Sequence, residues 1–384
     1  MRISYVIIVL ALLGFSDLAT AQQDTLATAT VDVHTAAQEE SGDEGSEGGF
    51  KPGEMILHHV SDWHSIHFIG HLSMPLPVIL YTDQGLDVFM SSVFWDENHE
   101  TTKEYTSPAT GNTYVLHHEK IAFAGAHDHG SHEVAEANGH AAADHGPMLL
   151  DFSITKSVFG MLVIMILMVL LFTRVAARYR KGVSAPKGAQ GLLEPLILFV
   201  RDEVAVPSIG AKKADKFMPF LLTVFFFIWM CNLLGLIPFA GGFNITGTLS
   251  ITAVLATFVF IITTINGNGH YWGHILWPPG VPLPIKFILV PIEIIGIFIK
   301  PLILMVRLTA NITAGHILIL AFVSLVIMFG QSSAVAGYGV GVGAVVFMIL
   351  MFFIELLVAF LQAYVFTLLA ALYFGDATHE VHHH

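Results

Sequence analysis

The segment PIEIIGIFIKPLILMVRLTANITAGHILIL sets a single arginine, Arg307, in the middle of a long apolar run. An arginine at bilayer depth costs about 3 kcal/mol even on the gentlest insertion scale, so it stays only where it faces a partner or a wet cavity. At helical pitch Glu293, Lys300 and Arg307 fall seven residues apart and Asn311 follows four later, so all four share one stripe. A second apolar segment, FMILMFFIELLVAFLQAYVFTLLAALYF, carries Glu355 and Gln362 seven residues apart on one face. Two neighbouring membrane helices, each polar along one stripe only, have the form of an ion path.

Composition excludes a purely soluble protein, because 54% of the residues are hydrophobic and only 12% are charged. The one cysteine, Cys231, sits inside an apolar run and reads as a small buried hydrophobe, which leaves no disulfide framework and no cysteine metal site. No nucleotide-binding loop, catalytic triad or glycine-rich phosphate cradle is present, so no enzyme active site, cofactor or nucleic-acid partner is expected.

In chain order, residues 1–21 read as a secretory signal, with Arg2, a short apolar core and Ala19-Thr20-Ala21. Residues 22–53 are acidic and too poor in large apolar side chains to offset chain entropy, so disorder is expected. Residues 54–124 read as a small exported module, partly β. EMILHHVSDWHSIHF suggests a short amphipathic helix with His64, His67 and His71 on one face, and turn signals separate β-prone runs from Pro77 to Ala124. Residues 125–150 read as a histidine-rich linker rather than a metal site, because nothing fixes a ligand geometry. Residues 376–384 form a histidine-rich tail.

The membrane part, residues 151–375, begins with the apolar run Ser153–Ala177. Arg174, Arg178, Arg180 and Lys181, with Lys212, Lys213 and Lys216, mark its far side as cytoplasmic. GLLEPLILFVRDEVAVP is too short and too charged to span and reads as an interfacial helix. Spans are expected from Lys216 to Pro238 and from Ile245 to Ile265. A hydrated turn then leads into a long helix from about Ile285 to Phe329, bent by Pro291 and Pro301. A glycine-rich turn, Gly330–Gly343, precedes the last helix, which ends near Phe374. The fold class expected is therefore an all-α polytopic membrane protein of about five crossings and an interfacial helix. It ends in a long oblique helix hairpin and carries a small β-rich exported N-terminal module.

KPLILMVRLTANITAG, followed by E-x6-Q in the last helix, resembles subunit a of rotary F-type ATP synthases, and NLLGLIPF at Asn232–Phe239 is a second marker. The resemblance covers roughly residues 150 to 375. It implies a stator proton channel beside a rotating c-ring in a bacterial inner membrane, with b-type stalk subunits and the rest of the synthase as partners. The module would then be periplasmic and the C-terminus cytoplasmic. It also implies an essential arginine at Arg307, the following asparagine at Asn311 and the last-helix glutamine at Gln362. The family's acid/histidine pair falls on His316 and Glu355.

The residues themselves agree with part of this. Arginine stays protonated and presents a forked donor set, which suits it to meet a carboxylate on a passing subunit. His316 is nine residues beyond Arg307, about half a turn away and roughly 13 Å along the axis, so it fits an access-channel role better than a shared ligand. Glu293, Lys300 and Asn232 are further half-channel candidates. Glu293 with Lys300 equally suits an internal ion pair, and Asn232 suits a helix-packing hydrogen bond. The competing function is a self-contained secondary transporter or ion channel, which would show an internal repeat with matched broken helices. No such repeat is apparent.

Overall fold

The computed structural model describes residues 62–67, 73–95, 103–117, 120–124, 149–180, 188–237 and 243–379. The expected signal, the acidic segment, nearly all of the histidine-rich linker and residues 380–384 lie outside them. The chain divides into two compact units, one built around residues 61–161 and the other around residues 162–236 and 244 onward.

The first unit is made of short antiparallel strands. Strands β1 (Ser65–His67) and β2 (Ser73–Pro75) pair with each other. Strands β3 (Pro77–Thr82), β4 (Gly85–Met90) and β8 (Leu149–Asp151) form one three-stranded sheet in the order β4-β3-β8. Strands β5 (Tyr105–Thr106), β6 (Thr113–His117) and β7 (Lys120–Phe123) form another. The hairpin between β3 and β4 closes at Gly85, whose φ of 134° disfavours any side chain. Val78 and Leu80 from β3 meet Tyr114, Leu116 and Ile121 from β6 and β7, with Phe94 filling the middle.

The buried Asp87 carboxylate ties the two sheets together. It accepts hydrogen bonds from the Ser107 hydroxyl and, at 2.5 Å each, from Thr110 and Tyr114. Burial alone would raise this carboxyl, but the three hydroxyl donors outweigh burial and hold it below its ordinary value.

One sequence expectation fails here. Ser65–His67 is a strand, not part of an amphipathic helix, so His64 and His67 do not share a helical face. Pairing with β2 satisfies the backbone and buries Ile66 completely, which overrides the local helical pattern. His64 is itself buried, with Nε2 3.5 Å from the Asp151 carboxylate. No metal-holding group of His, Cys, Asp or Glu exists among the described residues.

The first unit runs without a break into helix α1 (Lys156–Arg180). The Phe152 and Ile154 amides donate to the Ile79 and Pro77 carbonyls at 2.8 and 3.0 Å, continuing the β8–β3 ladder. The Lys156 amide donates to the Trp63 carbonyl at 2.9 Å, and the Ser157 amide donates to Asp62 Oδ1 at 2.8 Å. Two donors that a helix start leaves open are thus met by residues 62 and 63.

The second unit is helical. After α1 come α2 (Ala189–Phe199), a π-helical turn over Val200–Ala205, and the short α3 (Val206–Ile209). Then follow α4 (Ala211–Gly235), α5 (Leu249–Asn266), α6 (Gly269–Leu276), α7 (Leu283–Ser332) and α8 (Ala334–Thr378). Five helices among the described residues are long and apolar enough to cross a membrane. With 50 residues, α7 is roughly 75 Å long, too long to stand upright in ~30 Å of hydrocarbon. Pro291 and Pro301 lie inside it without ending it.

Two connections differ from the sequence reading. The expected glycine-rich turn is helical: only Ser333 separates α7 from α8, and residues 334–343 open the last helix. In an apolar setting a helix satisfies backbone groups that an open turn would strand. The hydrated turn after α5 contains a short helix, α6, whose N-cap Asn268 accepts from the Tyr271 amide at 2.9 Å.

Packing in this unit is aromatic and close. Phe217 of α4 stacks on Phe374 of α8 with centroids 4.9 Å apart, and Phe225 meets Phe360 edge-on at 5.8 Å. Between α5 and α7 the Thr252 and Thr309 hydroxyls share a 2.7 Å hydrogen bond beside Ala253, Ala256 and Met305. Gly375 of α8 lies so close to the Ser208 carbonyl of α3 that no side chain would fit. The carbonyls that end α8 are taken up by Lys213 Nζ on Thr378 at 2.6 Å and by the Asn268 amide on Ala377 at 3.0 Å.

Candidate functional site

The polar residues of α7 fall on two of its faces. Pro301, Leu304, Met305, Leu308 and Thr309 are buried, whereas Val306, Arg307, Ala310, Asn311 and Ala314 are exposed. Arg307 therefore stands on an outward face with Asn311, among otherwise apolar and small side chains. No described residue forms an ion pair with it.

On α8, Glu355 and Gln362 are both buried, at 7% and 9% exposure. The Glu355 carboxylate lies against Gly315 of α7, where a β-carbon would stand 2.5 Å from Oε1. That oxygen is buried and accepts no hydrogen bond. The next residue is His316, whose Nδ1 lies 3.1 Å from the Ile312 carbonyl. The structure thus brings Glu355 to the backbone beside His316, about 12 Å along the α7 axis from Arg307.

Asn232 of α4 is engaged at both ends of its amide. Nδ2 donates to the Ala359 carbonyl at 3.2 Å, and Oδ1 accepts from the Thr246 hydroxyl at 2.5 Å. Ala359 lies between Glu355 and Gln362, so Asn232 fixes the stretch of α8 that carries both.

On the opposite side of Arg307 is a polar cavity of about 350 Å³. Glu293 and Lys300 of α7 line it, together with His270 and His274 of α6, Asp376 of α8 and His379. Lys300 Nζ is 3.8 Å from Asp376 Oδ2 and 5.3 Å from the centre of the Tyr373 ring. The internal pairing of Glu293 with Lys300 is therefore replaced by a Lys300–Asp376 contact. Tyr271 also borders the cavity; burial, then the negative charges of Asp376 and Glu293, push its phenol up to about 12.

Sequence reasoning missed His270, His274, Asp376 and His379. A signal for Asp376 existed, since it lies fourteen residues after Gln362 on the same heptad stripe. The others depend on α6 folding back over the ends of α7 and α8, which no local pattern announced.

The family model described as ATP synthase A chain matches residues 158–375, more than half of the chain. This chain belongs to the ATP synthase A chain family. It is 41% identical over 241 residues to ATP synthase subunit a of Chloroherpeton thalassium, covering 60% of this chain and 69% of that one. With ATP synthase subunit a of Chlorobium phaeobacteroides the identity is 38% over 268 residues, covering 65% and 75%. With that of Pelodictyon phaeoclathratiforme it is 42% over 243 residues, covering 61% and 68%. Every α7 and α8 site residue inferred from sequence lies within the segment matched to the ATP synthase A chain family, while Asp376 and His379 lie just past it. A second model, described as a domain of unknown function (DUF8433), matches residues 55–152. Family and long apolar helices together make this member of the ATP synthase A chain family a multi-pass membrane protein.

Proposed function

We propose that this chain is the stator proton-channel subunit of a rotary ATP synthase, supplying two half-channels to a ring of c subunits. The observation that carries the reading is Arg307. It is exposed on a helix face that is apolar apart from Asn311, no described residue pairs with it, and polar regions lie on either side along α7. A membrane arginine that no described residue neutralises calls for an external carboxylate, which a passing c subunit provides. Its fixed charge favours the ionised carboxylate, so the proton leaves toward one half-channel and re-enters from the other. The same charge interrupts any continuous proton wire between them.

In this reading Glu355, His316, Gln362 and Asn311 serve the half-channel on one side of Arg307. Glu293 and Lys300, with the cavity around them, serve the other. Asn232, with its amide engaged at both ends, braces α8 rather than relaying protons. The chain crosses an inner membrane five times, with the strand unit outside and the end of α8 inside, consistent with the basic residues around Arg178 and Lys213. The long hairpin of α7 and α8 lies obliquely against the ring. The chain acts without a nucleotide site of its own: ATP chemistry belongs to other subunits of the synthase, and b-type stalk proteins are stator partners.

The deciding experiment is co-purification with the c-ring followed by reconstitution. Vesicles carrying the wild-type assembly acidify on ATP addition, and vesicles carrying Arg307→Ala, assembled to the same extent, do not. Normal acidification with Arg307→Ala would end this reading.

A further inference from the structure

The β4-β3-β8 sheet is apolar on both faces. One face builds the core around Val78, Leu80 and Tyr114. On the other, Leu150, Tyr81 and Leu86 form one cross-strand row, and Ile79 and Val88 form the next, extended by Phe152 through its amide bond to Ile79. Met90 continues the face opposite Pro77. Tyr81, Leu86, Val88, Met90, Leu150 and Phe152 are 43% to 63% exposed. The two acids on these strands point to other work, Asp87 to its three hydroxyl donors and Asp151 to His64. A sheet with water on one side reads apolar inward and polar outward, whereas a contiguous apolar face marks a surface that something covers.

The chain path identifies the occupant. From β8 the backbone continues through Phe152 and Ile154, both bonded to β3, straight into Lys156 at the start of α1. That helix has 25 residues and is apolar enough to cross a bilayer. Phe152 precedes it by four residues, so it lies within about 13 Å of the first turn even if fully extended. Where α1 enters a membrane, the sheet therefore follows within that distance, with no free linker between. Tyrosine and phenylalanine on its open face are side chains that suit the boundary of headgroups and acyl chains.

We propose that this sheet face docks on the bilayer surface, with Leu86, Val88, Met90 and Phe152 entering the headgroup–acyl boundary. The proposal requires only that α1 crosses the membrane, so it stands or falls separately from the ion-path reading.

The test uses the full chain with Cys231→Ala and a single cysteine introduced by Val88→Cys, labelled with a nitrobenzoxadiazole dye. The labelled protein is reconstituted into phosphatidylcholine vesicles containing 5-doxyl lipid. The expected result is severalfold stronger quenching than for the same dye on Glu104→Cys, an exposed position beside β5 in the other sheet. Leu86→Cys provides a second probe of the same face should the first variant fold poorly. Equal quenching at the sheet face and at residue 104 overturns the proposal. So does a sheet-face label shielded from aqueous iodide yet untouched by doxyl lipid, which would mean that another protein covers the face.

Discussion

The Glu355 carboxylate fills the space that a side chain would occupy at Gly315, with Oε1 2.5 Å from where a β-carbon would stand. Because the carboxylate ends a flexible side chain, a methyl group at 315 displaces it without separating the helices. Gly315→Ala should therefore assemble normally but slow proton flux by roughly tenfold, the scale at which about an ångström of misplacement is felt. Adding Glu355→Asp, which withdraws the carboxylate by one methylene, should recover part of the flux. ATP-driven acidification of reconstituted vesicles reads both variants.

Arg307→Lys keeps a positive charge but loses the planar fork. If the outward guanidinium meets a ring carboxylate through two parallel hydrogen bonds, lysine should leave only a small residue of coupled synthesis. Synthesis driven by an imposed proton gradient measures this, and wild-type rates with lysine would remove the case for forked recognition.

The amide of Asn232 joins α4 to α8 and to Thr246 at once. Asn232→Leu leaves the buried Thr246 hydroxyl without its acceptor and removes the second donor to the Ala359 carbonyl, a loss of about 1–3 kcal/mol. Thermal unfolding of the detergent-solubilised chain should fall accordingly. Thr246→Val alone should cost less, and the two changes should be less than additive because they remove one shared bond.

Much of the helical unit was legible in the sequence because its signals are local. Arg307, Asn311, Glu355 and Gln362 announce themselves as polar residues at seven- and four-residue spacing inside apolar runs, and the basic residues flanking α1 and α4 mark one side. What escaped depends on contacts between distant segments. His64 looked like one member of a helical histidine face until pairing with Ser73–Pro75 turned Ser65–His67 into a strand. The glycines from 334 to 343 looked like a turn, since local propensity knows nothing of the demand for internal hydrogen bonds in an apolar medium. Lys300 chose Asp376, seventy-six residues away, over Glu293 on its own helix.

Asp87 makes the strand unit acid-sensitive. Its folded value lies below the ordinary 3.8, so the stability its bonds contribute is fully present above that value. It is lost as pH falls through the lower folded value. Amide protection around Tyr114, followed by hydrogen exchange, should be flat from neutral pH down to about 5 and decline below about 4. Asp87→Asn should lower protection at neutral pH by about 2 kcal/mol and flatten the acid decline.

The exchange of His316 and Glu355 tests whether the two act together. Each single neutral substitution should slow proton flux, and the double exchange, His316→Glu with Glu355→His, should recover more than either single exchange does. Equal loss in all three would mean that the residues work independently.

The cap on the first turn of α1 comes from Asp62, ninety-five residues before the Ser157 amide it receives, and β3 waits for a partner made only at Leu149–Asp151. During synthesis the strand unit therefore cannot close until the start of α1 has been made. Until then one edge of β3 stays open, and an open edge invites pairing with the wrong chain. Closure of the strand unit thus waits on the start of α1, and a chain cut short before residue 149 lacks the strand that covers that edge.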